Sequence, residues 1–296
     1  MKSHNPLVSV VMPVRNTGIF LMEAISSILS QTYKNIELII VNDASTDETS
    51  KILSSLKDKR VRIFKNKKRL GVTAAANIAI SKANGKLIAR MDGDDIASLN
   101  RIEKQVKFLK NHKNVVAVGG QCQLINAEGQ VFGSKTFPQT YSKIKKMIFS
   151  SVPLQQPTLM VDSSRLPKNF VWYDEDYSSA EELELLFKLF EFGEVRNLRD
   201  VLLKYRIHNA NTSLNNPKKT FFLTLKTRFL AISKYGYRPT FGGVITTIAQ
   251  LLIISLIPNT WIYPIYSVVR GMHKLDVKIN PDADVSLQKT FELDQV

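Results

Sequence analysis

Residues Lys86 to Asp95, KLIARMDGDD, decide how the rest of the chain is read. The apolar run Leu87-Ile88-Ala89 leads through Arg90-Met91 into three carboxylates around one glycine, Asp92-Gly93-Asp94-Asp95. Clustered carboxylates raise one another's pKa unless a cation sits among them. An acidic group at a strand end therefore suits a hard divalent metal with oxygen ligands. Asp and Gly are also common turn residues, and local sequence alone leaves both readings open.

Upstream, Leu7 to Met12 (LVSVVM) is a short apolar run rich in β-branched residues, stopped by Pro13 and followed by Arg15-Asn16. It reads as a buried parallel strand. Glu23 to Gln31 has helical spacing, and Glu37 to Val41 (ELIIV) is a second buried strand ending in Asn42-Asp43. Ser45 or Thr46 is placed to cap a helix ending near Leu56, with Glu48 in its first turn. Val61 to Phe64 is a third strand, Val72 to Ala83 an alanine-rich helix, and the opening stretch the fourth strand. This alternation predicts a doubly wound α/β sheet, whose ligands bind beyond the carboxyl ends of the strands. Arg15-Asn16, Asn42-Asp43 and the aspartates all fall at that edge, which strengthens the metal reading. No GxGxxG follows the first strand and no GxxxxGK[ST] occurs. Phosphate must then be held another way, and a metal shared between carboxylates and substrate phosphates is the simplest substitute.

Downstream, Asn100 precedes the amphipathic stretch RIEKQVKFLKNH, and Val115 to Leu124 is a further strand. The turn at 126–129 leads into Gln130 to Phe132, so the sheet is expected to be mixed. A basic amphipathic helix is expected over Tyr141 to Ser150 and a strand over Thr158 to Val161. Glu181-Glu182-Leu183-Glu184 opens a helix that ends at Gly193, with Glu184 read as opposing the macrodipole. Val201 to Ile207 is the last strand and delivers Tyr205-Arg206-Ile207-His208 to a loop of asparagines.

A chain of 296 residues, 44% hydrophobic and 23% charged, is globular rather than disordered. The single cysteine, Cys122, excludes an internal disulfide and a zinc site built on several thiolates, which fits a reducing compartment. The N-terminal MKSHNP lacks an apolar core, so the expectation is a chain that starts in the cytoplasm. A net charge of +15 asks for an anionic partner: nucleic acid, an anionic membrane face or a phosphorylated ligand. The basic run Lys218 to Arg238, with Phe221, Phe222, Leu225, Phe229 and Leu230, reads as an amphipathic helix on anionic lipid. From Pro239 to Val269 there is no charged residue. Pro258, Asn259 and Pro264 interrupt that segment, while Trp261, Tyr263 and Tyr266 resemble an interfacial aromatic belt. A kinked, re-entrant or interfacial element is expected there, with a buried core helix as the alternative.

The stretches VSVVMPVRN, ELIIVNDASTDET, the helix over 71–80, GKLIARMDGDD with RIEKQVKFL, AEELELLFKLFEFG and LKYRIHNANTS occur in that order. Together they resemble the inverting glycosyltransferases of family 2 over residues 7–214. The resemblance implies an A-type nucleotide-diphospho-sugar transferase fold, a Rossmann-like mixed sheet flanked by helices. Three regions are expected: a catalytic domain over 1–215, a basic amphipathic helix over 216–240, and an apolar membrane-associated segment with its tail over 241–296. The resemblance also implies that Pro13, Arg15 and Asp43 face the nucleobase and ribose. Asp92 and Asp94 are then the DxD pair, Asp92 towards the ribose of the donor and the metal, and Asp94 as the direct ligand of Mn²⁺ or Mg²⁺. Glu182 stands where the family has its base, with Glu181 as the substitute, since the family motif is usually written Glu-Asp. Arg206 and His208 match a late motif that closes over the diphosphate, His208 reaching the metal. Gln155-Gln156 precede Pro157-Thr158 where the family often has an aromatic or a histidine.

The chemistry asks for the same groups. A sugar hydroxyl is a poor nucleophile, so a carboxylate must take its proton, while a cation and an arginine neutralise the leaving diphosphate. The expected enzyme transfers a hexosyl or N-acetylhexosaminyl unit, with inversion, from a nucleoside-diphosphate sugar, UDP-sugar favoured, to a lipid-linked or cell-surface polysaccharide acceptor. Its expected location is the cytoplasmic face of the cell membrane, peripheral or re-entrant. The alternatives are a polyprenyl-phosphate glycosyltransferase and a nucleotide-sugar-binding pseudoenzyme. Nucleic acid is not an expected partner, because no recognised nucleic-acid motif accompanies the basic charge.

Overall fold

The computed structural model describes residues 5–174, 180–208, 217–258 and 261. Strand β1 (Val8–Val14) is buried along its whole length and lies between two parallel neighbours, β2 (Ile36–Asn42) and β4 (Leu87–Arg90). The strand runs through Pro13 instead of stopping at it. Val11 directs its carbonyl towards β4, accepting from Met91 N–H, so Pro13, two residues on, faces the same side. There β4 has already ended, at the Val11 and Arg90 pair, so the missing proline N–H costs no ladder bond.

Helix α1 (Gly18–Leu29) connects β1 to β2, and α2 (Thr49–Ser55) connects β2 to β3 (Val61–Lys65). Helix α3 (Val72–Ser81) then leads to β4, and a two-residue β5 (Ile96–Ala97) precedes α4 (Arg101–Asn111). Strand β6 (Val115–Ile125) makes an antiparallel hairpin with β7 (Val131–Lys135). Helix α5 (Tyr141–Met147) and a 3₁₀ turn at Gln156–Thr158 lead to β8 (Met160–Asp162), followed by α6 (Glu181–Leu189) and β9 (Glu194–Arg206).

Among the described residues these strands form one nine-stranded sheet, ordered β3-β2-β1-β4-β8-β6-β9-β5 with β7 on β6. Strands β1 to β4 are parallel, and β8 is antiparallel to both β4 and β6. The mixed sheet expected from the sequence is therefore present. Alternate residues of β1 and β2 face opposite sides. Val8, Val10, Met12, Leu38 and Ile40 pack with α1, α2 and α4, while Val11, Ile39 and Val41 pack with Ala75 and Ala79 of α3. The chain leaves β1 towards β2 on one side and returns through β4 on the other, which puts the topological switch point at the ends of β1 and β4. Arg15 and Asp92 follow those two strands.

Several elements depart from the sequence expectations. Strand β9 begins at Glu194 rather than Val201 because its polar residues have partners outside a simple apolar pattern. Asn197 donates to Pro138 and Pro153 carbonyls, Arg196 pairs with Glu194, and Asp200 pairs with Lys104. Glu184 does not serve only the helix dipole. It is 1% exposed, accepts the Tyr235 hydroxyl and pairs with Lys188 at 2.6 Å.

The basic run forms α7 (Pro217–Lys234), but its apolar residues do not make one free face. Leu225 and Ala231 are buried and Arg228 donates to Ile148 carbonyl, whereas Phe222, Phe229 and Ile232 are exposed. Helix α8 (Phe241–Leu256) follows a cap in which Thr240 Oγ1 accepts Gly243 N–H. Among the described residues no helix is long and apolar enough to cross a membrane. Pro264, Tyr263 and Tyr266 lie outside the described residues, as do Glu175, Asp176 and the asparagine loop.

Candidate active site

The site is built at the carboxyl edge of β1, β2 and β4. Gly93 allows the loop after β4 to lie against β1: a Cβ there would meet Val14 Cγ1 at 2.7 Å and Thr17 Oγ1 at 3.1 Å. Asp92, Asp94 and Asp95 consequently converge, each offering a carboxylate oxygen within 4.8 Å of the others. Arg90 sits beneath them, buried, with Nη2 2.7 Å from Asp92 Oδ1. Asp94 Oδ2 lies 3.0 Å from His208 Nε2. Asp95 is 1% exposed; its Oδ1 accepts Arg206 N–H at 2.9 Å and its buried Oδ2 has no hydrogen-bond partner.

Burial raises the Asp92 pKa; Arg90 opposes that rise and the charge of Asp94 adds to it. Asp95 is held well above the usual carboxylate range by burial and then by Asp94 and Asp92. A group of hard oxygen donors that cannot all ionise together, one of them without a donor, fits a divalent cation. Asp92, Asp94 and Asp95, with His208 beside Asp94, are the residues that could hold Mn²⁺ or Mg²⁺. Asp95 is the part of the loop fixed to β9.

Glu181 and Glu182 begin α6, Glu181 buried and Glu182 half-buried. The Glu182 carboxyl is pushed up to about 8 by burial first, then by the charges of Glu181 and Asp92, against the pull of its own amide and Arg90. That set of influences brings Glu182 and the aspartate cluster into one electrostatic unit. Tyr173 is buried nearby, its hydroxyl pushed up to about 12 by burial, with Arg90 opposing and Glu181 adding to the rise. Asn77 of α3 fixes that segment by donating to Tyr173 carbonyl and accepting its N–H.

Pro13, Arg15 and Asp43, expected at the nucleoside, lie at the carboxyl ends of β1 and β2. Pro13 is buried within β1 and Arg15 is exposed just past the strand. Asp43 is 3% exposed and accepts three bonds, from Asn66 Nδ2, Leu70 N–H and Gly71 N–H, each at 2.8 Å. It thereby folds the 66–71 segment over the end of β2, and Gly71 supplies the φ of +95° that this fold requires.

Arg206 departs from its expected role. Its guanidinium is 1% exposed and donates to the carbonyls of Asp94, Asn126 and Ala127, pairs with Glu23, and stacks 4.6 Å over Phe20. An arginine enclosed this way clamps the metal loop to the β6–β7 turn and α1, and does not present its fork to a diphosphate. Its neighbour His208, tilted on Phe20 at 4.9 Å, stays beside Asp94.

Two functional contributors escaped sequence reasoning. Arg90 is buried under Asp92, and its only sequence signal was a cation ending an apolar strand. The N-cap residue of α2 is Glu48, which makes no side-chain cap bond, and the side chain that reaches the helix start is that of Asp47, not of Ser45 or Thr46. Asp47 Oδ1 accepts Thr49 N–H and its Oδ2 accepts Gly18 N–H, so one side chain holds the starts of α1 and α2. Ser45 Oγ instead accepts Asn16 N–H, and Thr46 N–H donates to Asn16 Oδ1.

Comparison with known proteins agrees with this arrangement. The profile of glycosyl transferase family 2 matches residues 9–161. An uncharacterized glycosyltransferase of Haemophilus influenzae is 33% identical over 218 residues, covering 70% of this chain and 68% of its own length. The S. aureus TarS 1-349 structure in complex with UDP-GlcNAc superposes with a TM-score of 0.61 at 18% identity, covering 76% of this chain and 66% of that one. The mannosyltransferase PcManGT from Pyrobaculum calidifontis, in complex with GDP-Man and Mn²⁺, superposes with a TM-score of 0.57 at 15% identity, covering 92% and 88%. The fold is the A-type glycosyltransferase fold, the activity is that of a glycosyltransferase, and the chain belongs to glycosyl transferase family 2.

Proposed function

We propose that this glycosyltransferase moves a hexosyl or N-acetylhexosaminyl unit, with inversion, from a UDP-sugar to a lipid-linked or polysaccharide acceptor, using Mn²⁺ or Mg²⁺. The observation that carries the reading is geometric: Asp92, Asp94 and Asp95 converge within 4.8 Å of one another at the carboxyl edge of the sheet, with His208 Nε2 3.0 Å from Asp94 Oδ2. Support for the donor class comes from TarS with UDP-GlcNAc and PcManGT with GDP-Man, and for the metal from the Mn²⁺ of PcManGT.

In this mechanism Asp94, Asp92 and His208 would hold the cation, which when bound would supply charge neutralisation for the departing diphosphate. Asp43 keeps the 66–71 segment in position at the nucleoside end, beside Pro13 and Arg15. Glu182 takes the acceptor hydroxyl proton on the opposite side, with Glu181 as its neighbour and substitute. A base opposite the leaving group gives in-line displacement and an inverted anomeric centre. Burial, Glu181 and Asp92 push the Glu182 carboxyl up to about 8, which strengthens it as a base, and positive charge entering beside Asp92 would favour its ionised form.

A second reading is transfer to a polyprenyl phosphate, an acceptor already ionised and in no need of a strong base; the uncharged stretch from Pro239 to Val269 fits either acceptor. The catalytic domain is taken as residues 1–215, the basic helix as 216–240 and the apolar segment as 241–296. The uncharged stretch from Pro239 to Val269 and the charge of +15 support a location at the cytoplasmic membrane face.

Radiolabelled UDP-sugars offered with polyprenyl phosphate or with polyprenyl-diphosphate sugar separate the two readings. Transfer to the sugar-bearing acceptor is expected, and transfer only to the bare phosphate would favour the second.

A further inference from the structure

Helix α8 is turned inside out relative to a helix of a soluble domain. It is fastened to the catalytic domain by a narrow small and polar stripe. Gly243 packs near Phe149 Cβ, Thr247 Oγ1 donates to Phe149 carbonyl, and Gln250 Nε2 donates to Ser150 carbonyl. The opposite stripe, Phe241, Ile245, Ile248, Leu252 and Leu256, is 50–83% exposed. Apolar residues recur there at helical spacing, but they face outward. Trp261, 64% exposed, continues the apolar surface past Pro258.

At the N-terminal end of that stripe lies an open recess of about 280 Å³, lined by Tyr141, Ser142, Lys145, Lys146, Arg238 and Thr240. Among the described residues no carboxylate pairs with Lys145, Lys146 or Arg238. Three cations from α5 and from the link between α7 and α8 therefore face one cavity beside exposed hydrophobic surface.

We propose that α8 is an in-plane membrane anchor, its outward stripe in the acyl boundary, and that the adjoining recess takes the phosphate of one anionic lipid headgroup. This deepens the membrane location proposed above and rests on it. The described helix has 16 residues and is about 24 Å long, and its outward apolar stripe opposite a polar stripe held by the protein suits an in-plane position. Charge selects the occupant. Anionic lipid complements the three cations and the net charge of +15, whereas a second copy would bring +15 against +15. The hydroxyls of Tyr141, Ser142 and Thr240 line the same recess and add donors for phosphate oxygens.

The test is co-sedimentation of the full chain with vesicles of phosphatidylcholine alone, or mixed with phosphatidylglycerol. The wild type should pellet with the mixed vesicles and far less with phosphatidylcholine. Lys145→Gln, Lys146→Gln and Arg238→Gln together should weaken partition into the anionic vesicles by about fivefold per charge, on the order of a hundredfold in all. Ile248→Ser with Leu252→Ser should weaken partition into both vesicle types by at least roughly tenfold. These side chains are exposed, so both variants should keep native circular dichroism and the thermal shift given by UDP with Mn²⁺. That retained shift distinguishes failure of the anchor from failure of the donor site. Undiminished pelleting of either variant would overturn the proposal. So would a concentration-dependent dimer, abolished by the serine pair, in a protein that ignores vesicles. Binding of glycerol phosphate at the recess with no vesicle binding would also overturn it.

Discussion

Asp95 accepts the backbone N–H of Arg206 at 2.9 Å, tying the loop after β4 to the end of β9 across 111 residues of sequence. The returning guanidinium of Arg206 then donates to Asp94 carbonyl at 2.9 Å, closing a two-way clamp around the metal-binding loop. Asp95→Ala leaves the Arg206 amide buried without an acceptor and should cost about 1–3 kcal/mol in urea denaturation. Asp95→Asn keeps an acceptor and removes a carboxyl whose ionisation burial opposes, so without metal it should cost under about 1 kcal/mol. Equal losses for the two variants would argue against the clamp.

Arg206→Lys replaces a planar fork by a single ammonium and cannot reach three carbonyls and Glu23 at once. The expected outcome is a stability loss of roughly 2–4 kcal/mol, with activity falling alongside it. Chemical denaturation and UDP titration measure the two effects separately. Unchanged stability with a loss confined to UDP affinity would restore the diphosphate contact expected from the sequence.

Much of this was legible in the chain. LVSVVM and ELIIV read as buried parallel strands and are so, and the residue types after β4, left open locally between a turn and a cation site, do converge. What stayed hidden depends on direction and on distant partners. YRIH gives an arginine and a histidine at a strand end, but only the fold turns one guanidinium inward and leaves the next polar ring beside Asp94. Neither Ser45 nor Thr46 caps α2, because both are engaged with Asn16 while Asp47 reaches Thr49 N–H. Strand β5 has two residues and no period to read. The uncharged α8 was visible in sequence, yet which of its faces met the protein was not.

Glu182 gives the enzyme a pH signature. With its carboxyl pushed up to about 8, kcat/KM should rise with pH through that region, and Glu182→Gln should lower kcat by about 10²–10⁴-fold. The sign for stability runs the other way. A carboxyl raised above its unfolded value of 4.5 contributes most below that pH, and the contribution is lost as pH rises through about 8. Glu182→Gln should therefore raise the thermal midpoint in alkaline buffer while lowering activity. A variant that loses activity and gains no stability there would contradict this placement.

Gly93→Ala tests how tightly the metal loop is seated on β1. Its Cβ would stand 2.7 Å from Val14 Cγ1, so the loop must move. A displacement of about 1 Å can cost ~10²-fold in rate, and a steady-state assay should show a loss of that order with the fold intact by circular dichroism.

The central claim is that Asp94, Asp92 and His208 hold a divalent cation that a nucleoside diphosphate shares. Thermal shift of the full chain with UDP, with and without Mn²⁺, in wild type and Asp94→Asn, tests it most directly. A UDP-induced rise that requires Mn²⁺ and disappears in Asp94→Asn is the predicted result. Equal stabilisation by UDP with or without Mn²⁺, retained in Asp94→Asn, would contradict it.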